Sequence, residues 1–177
     1  MPETNERALN MLNTALQMEE KGFEFYRKAA DECKEETARE VFSTLMKDEV
    51  LHVKRIKAIY AGMEGGGAWS NEWKEFRVEH GDLALMFRAI AEKHGSNVRA
   101  DSSDLEAVEV GIGFESQAVK FYSEQLPAAA DPVEKAFVEA MIAEERSHHA
   151  ALTDMKLYLT DPAAWFAGVE GSGTDGG

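Results

Sequence analysis

The sequence predicts an all-α fold: a four-helix bundle of two helical hairpins, with a long crossover between the second and third helices and a short C-terminal helix. Three observations predict it. Apolar residues recur at helical spacing through four long segments. Only a few residues separate the first segment from the second and the third from the fourth, whereas Gly62 to Ser102 lies between the second and third, enough to cross a bundle from end to end. Each apolar stripe also carries ionisable side chains at its middle, where a core should be dry.

The first segment, about Asn5 to Asp31, has the stripe Leu12, Leu16, Glu19, Phe23, Tyr26, Ala30. A polar turn, Cys33 to Glu36, leads to a second from about Thr37 to Ala61, with Ala38, Phe42, Leu45, Glu49, His52, Ile56 and Ile59 on one face. Gly62 is the expected left-handed cap that stops it. The crossover holds two weaker helical patches, about Asn71 to Val78 and Leu83 to Lys93. Ser103 with Glu106 forms an expected capping box for the third helix, which carries Leu105, Val108, Ile112, Glu115, Val119 and Tyr122 to about Gln125. Asp131-Pro132 opens the fourth, which carries Val138, Met141, Glu145, His148, Leu152 and Met155 to about Thr160. Asp161-Pro162 starts a short amphipathic turn whose Trp165 and Phe166 are expected to cover the bundle end.

With 177 residues, 44% of them hydrophobic, the chain is long enough for one well-filled core, expected over residues 1–170 with a flexible Gly-rich tail at 171–177. A net charge of −14 opposes binding to nucleic acid or an anionic membrane surface. The acidic Met1 to Glu6 stretch has no apolar run and no segment is long enough to span a bilayer, so a cytoplasmic protein is expected. Cys33 is the only cysteine, which excludes an internal disulfide, a CxxC pair and a four-cysteine metal site within this chain.

Burying a carboxylate without a partner costs several kcal/mol even after relaxation, so the polar middle of each stripe needs compensation. Glu-x-x-His puts a carboxylate and an imidazole one turn apart on one helix face, a pair that suits iron, manganese or zinc. One such motif is weak; this chain repeats it. Sliding the sequence by 96 residues superposes Glu19 on Glu115, Tyr26 on Tyr122, Glu49 on Glu145 and His52 on His148 without a gap. The match resembles a duplicated hairpin that kept its polar residues and little else. Two single glutamates and two Glu-x-x-His pairs at one level of a bundle make up the known ligand pattern of ferritin-like dinuclear carboxylate proteins. Four carboxylates and two divalent cations sum to zero charge, whereas without cations the bundle would have a polar core of partly protonated acids. Such cations would stand ~3.5–4 Å apart.

Tyr26 and Tyr122 each follow a glutamate by two helical turns and share its face; both readings, contact with the site and plain core packing, stand at this level. Asp48 and Glu144 each precede a Glu-x-x-His glutamate and either accept a hydrogen bond from the opposite histidine or face water. His80, His94 and His149 read as structural or exposed.

The paired Glu-(6)-Tyr and Glu-x-x-His helices resemble the diiron domain of rubrerythrins, over about residues 5 to 170, and the segment Leu159 to Phe166 is similar to the tails of related single-domain proteins. The resemblance implies two non-haem irons, with Glu49 and Glu145 bridging, Glu19 and His52 completing one site, and Glu115 and His148 the other. It implies reduction of hydrogen peroxide or dioxygen, in which Glu49, Glu145, Tyr26 and Tyr122 are the candidate catalytic residues, and a homodimer is expected. There are two departures. No rubredoxin-type cysteines are present, so electrons are expected from an external donor such as a rubredoxin or flavoprotein. The extra glutamate that the family carries one turn after the third-helix ligand is Ala118 here. Against this diiron oxidoreductase stands a non-catalytic bundle for iron handling, ferroxidase action or metal sensing; a storage cage is disfavoured, because no mineral-nucleating run is evident.

Overall fold

Long runs of good helix formers with one apolar face fold as amphipathic helices that hide those faces against one another. The computed structural model describes residues 2–64 and 66–172. It contains α1 (Pro2–Glu32), α2 (Glu36–Met63), α3 (Leu83–His94), α4 (Ser102–Gln125), α5 (Pro132–Thr160) and α6 (Pro162–Ser172), with short 3-10 turns at Asn71–Glu75 and Leu126–Ala128. No strand occurs among the described residues, and none of the helices is long and apolar enough to cross a membrane. α1 packs along α2 and α4 along α5, giving the two expected hairpins, and the crossover carries α3 across α5.

Local chemistry explains where the ends fall, and in four places corrects the expectation. Gly62 does not cap α2: the helix runs on to Met63, which is buried beside Ile59, and Gly62 has no left-handed backbone. The chain turns instead at Gly66 (φ 90°) and Gly67, where a Cβ would stand 1.8 Å from the Gly62 carbonyl oxygen. The cap of α4 is Asp101, not Ser103: its carboxylate accepts from the Ser103 and Asp104 backbone amides, while Asp104 accepts from the Asp101 amide. Asp104 is completely buried because it also accepts from the amides of Lys34 (2.9 Å) and Glu35 (3.3 Å), clipping the α1–α2 turn to the start of α4. The first crossover patch is a single 3-10 turn ending at Glu75 rather than a helix to Val78. Finally, α6 continues through Ser172, past the expected start of the tail, and 173–177 lie outside the described residues.

Asp131 caps α5 through the amides of Val133 and Glu134, with Pro132 at the first helical position as expected. Trp165 of α6 is buried against Tyr158 and Phe87, and its indole N–H donates to Asp154. The apolar core is divided in two. One half gathers Phe42, Leu45, Phe87, Leu152 and Tyr158, the other Leu12, Ile56, Ile59, Phe137 and Met141. Glu19, Glu49, His52, Glu115, Glu145 and His148 belong to neither half.

Candidate metal centre

Each long helix contributes to one polar cavity through residues that its own periodicity turns inward. α1 brings Glu19 and Tyr26, α2 brings Asp48, Glu49 and His52, α4 brings Glu115 and Tyr122, and α5 brings Glu144, Glu145 and His148. The four glutamates Glu19, Glu49, Glu115 and Glu145 and both histidines are at most 3% exposed, so water cannot neutralise them.

Glu145 and Glu49 occupy the middle. The Nδ1 atom of His52 lies 3.1 Å from Glu145 Oε1, 3.4 Å from Glu19 Oε2 and 3.7 Å from Glu49 Oε2. The Nδ1 atom of His148 lies 3.4 Å from Glu145 Oε2, 3.7 Å from Glu115 Oε2 and 3.9 Å from Glu49 Oε1. Each central glutamate thus offers one oxygen to each histidine. The donor atoms fall into two overlapping groups, Glu19, Glu49, His52, Glu145 and Glu49, Glu115, Glu145, His148, with all atoms of a group within 4.8 Å of one another. The imidazoles face each other at 5.6 Å, 21° from parallel.

The far nitrogen of each histidine meets a second carboxylate. His52 Nε2 lies 2.9 Å from Glu144 Oε2, and His148 Nε2 lies 3.0 Å from Asp48 Oδ2. An ionised carboxylate can only accept, so Nε2 carries the proton and Nδ1 turns its lone pair to the cavity when the ring is neutral. Tyr26 donates its hydroxyl to Glu115 and Tyr122 donates to Glu19, each across the pair α1 and α4.

Arg55, which sequence reading passed over, and His80, which it read as structural or exposed, complete these contacts. Arg55 donates to Glu144 Oε2 at 2.8 Å and to the Phe76 carbonyl at 2.7 Å, and its side chain is buried. His80, from the crossover, sits with Nε2 2.7 Å from Asp48 Oδ2. Arg55 follows His52 by one turn, a faint signal; an aperiodic crossover gives none for His80. His94 pairs with Glu40 on the surface, away from the cavity.

Electrostatics give the cavity a deficit of positive charge. Burial and the neighbouring Glu145 push Glu115 up to about 8, and burial and Glu19 push Glu49 well above the usual carboxylate range. Burial alone would lower both histidines, yet Glu145 and Glu144 around His52, and Asp48 and Glu115 around His148, hold both well above the normal imidazole value. Glu145 lies well below the usual range despite its burial, because both imidazoles press on it. Burial would likewise raise Glu144, but the His52 and Arg55 hydrogen bonds bring it down to about 2. Burial and the carboxylates beside them push the Tyr26 and Tyr122 hydroxyls far up, so both stay protonated donors. Four acids face two bases, and the remainder must be made up by protons or by cations.

Cations fit the residues better. Both oxygens of Glu145 and the Nδ1 of His148 are buried without a hydrogen-bond partner among the described residues, a costly condition unless they ligate. Oxygen and imidazole donors in two groups of four suit iron, manganese or zinc. A crevice of about 10 Å³ reaches the carboxylates between α1 and α4, and Ala118 lines it.

A family model described as Rubrerythrin matches residues 10–156. Comparison with curated proteins and with solved structures returns no match.

Proposed function

The chain belongs to the rubrerythrin family, and we propose that it is a diiron oxidoreductase that reduces hydrogen peroxide to water with electrons from an external donor. The observation that carries this reading is the placement of Glu49 and Glu145, each offering one oxygen to either histidine group.

Glu49 and Glu145, facing both histidines, would be shared between two metals, Glu19 and His52 would complete the hold on one, and Glu115 and His148 on the other. Two irons bound there supply the electron pair that, with two protons, converts one peroxide to two waters. The protein's own part is positional. Tyr26 and Tyr122 pin the two terminal glutamates by hydrogen bonds from hydroxyls that stay protonated. Glu144 and Asp48 orient His52 and His148, and Arg55 and His80 in turn hold those carboxylates. The two apolar halves of the core keep bulk water from the middle. With Cys33 as the only cysteine, the chain stores no electrons in a cysteine-bound iron, so sustained turnover needs a rubredoxin-like or flavin-linked donor.

The test is anaerobic loading with ferrous iron followed by stopped-flow mixing. Peroxide is expected to oxidise the loaded chain faster than dioxygen does, with multiple turnover only when donor is added. Stoichiometric oxidation followed by retention or transfer of iron would instead identify an iron-handling bundle.

A further inference from the structure

The crevice between α1 and α4 lies over the carboxylates, and its outer walls come in pairs related by the 96-residue repeat: Met18 with Phe114, and Gly22 with Ala118. The four central and terminal glutamates at its floor are paired by the same offset. The opening is therefore lined by matching positions of both hairpins and addresses both halves of the centre at once. Its size is set by the two smallest residues. Gly22 has no side chain, and a Cβ there would stand 3.3 Å from Glu49 Oε2, against the central carboxylate. Ala118 is 5% exposed and presents a single methyl group. Phe114 is held in place by stacking on Phe25 at 5.1 Å, 23° from parallel. About 10 Å³ is room for roughly one water-sized molecule.

We propose that this window admits the oxidant, that Gly22 and Ala118 set its size limit, and that it selects the smallest uncharged oxidants over bulkier hydroperoxides. The inference rests on the oxidoreductase reading and adds to it the oxidant's way in and the residues that limit its size. Charge supports the selection, because the chain carries a net charge of −14, which opposes the approach of anions. A longer side chain at position 118 would narrow the crevice, whose lining includes neither histidine, whereas Ala118→Gly would widen it.

The experiment uses the full chain loaded with ferrous iron and reads three things: metal content, the association rate of nitric oxide followed by absorbance, and oxidation rates with hydrogen peroxide and with tert-butyl hydroperoxide. Ala118→Leu should keep its metals and slow nitric oxide and hydrogen peroxide by the same factor, roughly tenfold or more for a blocked approach. Ala118→Gly should leave hydrogen peroxide nearly unchanged and speed tert-butyl hydroperoxide. Nitric oxide entering Ala118→Leu at the native rate, at native metal content, would overturn the window, as would an unchanged bulky-hydroperoxide rate in Ala118→Gly. The two levels separate cleanly. If the native chain does not turn over peroxide but nitric oxide still depends on residue 118, the window stands and the peroxide reading falls. If peroxide turns over and residue 118 is indifferent to both probes, the window falls and the reading stands.

Discussion

Glu145 has both oxygens buried without a hydrogen-bond donor among the described residues, and of the four cavity glutamates it lies closest to the Nδ1 atoms of both histidines, so its removal should be felt on both sides of the centre. Glu49→Ala and Glu145→Ala are expected to reduce both metals to well below one equivalent. Glu19→Ala, which removes a carboxylate that faces His52 and not His148, should mainly empty one position. Metal analysis at matched folding checks this, and equal loss in all three variants would refute the bridging roles. Cys33 makes a second residue-scale case. Burial and the nearby Asp104 carboxylate push its thiol up to about 12. Because that is above the value in an unfolded chain, the folded state keeps the proton. The resulting stability is fully present below the unfolded thiol's pKa and is lost as pH rises through about 12. Alkylation of Cys33 at pH 8 should therefore track global unfolding; labelling at the rate of a free thiol in the native protein would contradict it.

Among the elements, helix ends differ in how much they hold together. Asp131 caps only its own helix, and Asp131→Ala should cost about 1 kcal/mol. Asp104 serves the α4 cap and the α1–α2 turn together from a fully buried position. Asp104→Ala leaves several amides without an acceptor and should cost about 2–3 kcal/mol. Urea unfolding of the two variants side by side decides whether the clip matters more than the cap. The crossover is likewise more than a connector: it lays α3 on α5 and delivers His80 to Asp48. Loss of that contact in His80→Ala is expected to lower metal affinity modestly, since it acts through Asp48 and His148. Isothermal titration with zinc, compared with the surface variant His94→Ala, would show whether His80 has such a role.

For the whole molecule, a layer of buried acids between two apolar half-cores makes stability depend on cations. The chain without metal should be less stable near neutral pH, and ferrous iron at about a hundred times its dissociation constant should add about 2.7 kcal/mol and raise Tm accordingly. Identical melting curves with bound and unbound metal would mean that protons compensate the acids fully. Four helices, their pairing and the long crossover were legible in the sequence because periodicity and short connections depend only on near neighbours along the chain. The inward placement of Glu19, Glu49, His52, Glu115, Glu145 and His148 was legible too, since an ionisable side chain inside an apolar stripe must be turned toward the core whatever else happens. The helix ends were harder: Gly62 and Ser103 were plausible caps by local chemistry, and Met63 burial and the Asp104 clip overrode them. Which oxygen of Glu145 faces which histidine, how Arg55 reaches Glu144, where His80 lands and how small residues at Gly22 and Ala118 leave an opening were decided by tertiary structure alone. The reason is physical: helix periodicity sets the direction in which a side chain leaves its own helix, but contacts across helices depend on how those helices pack, and no spacing along one segment encodes that.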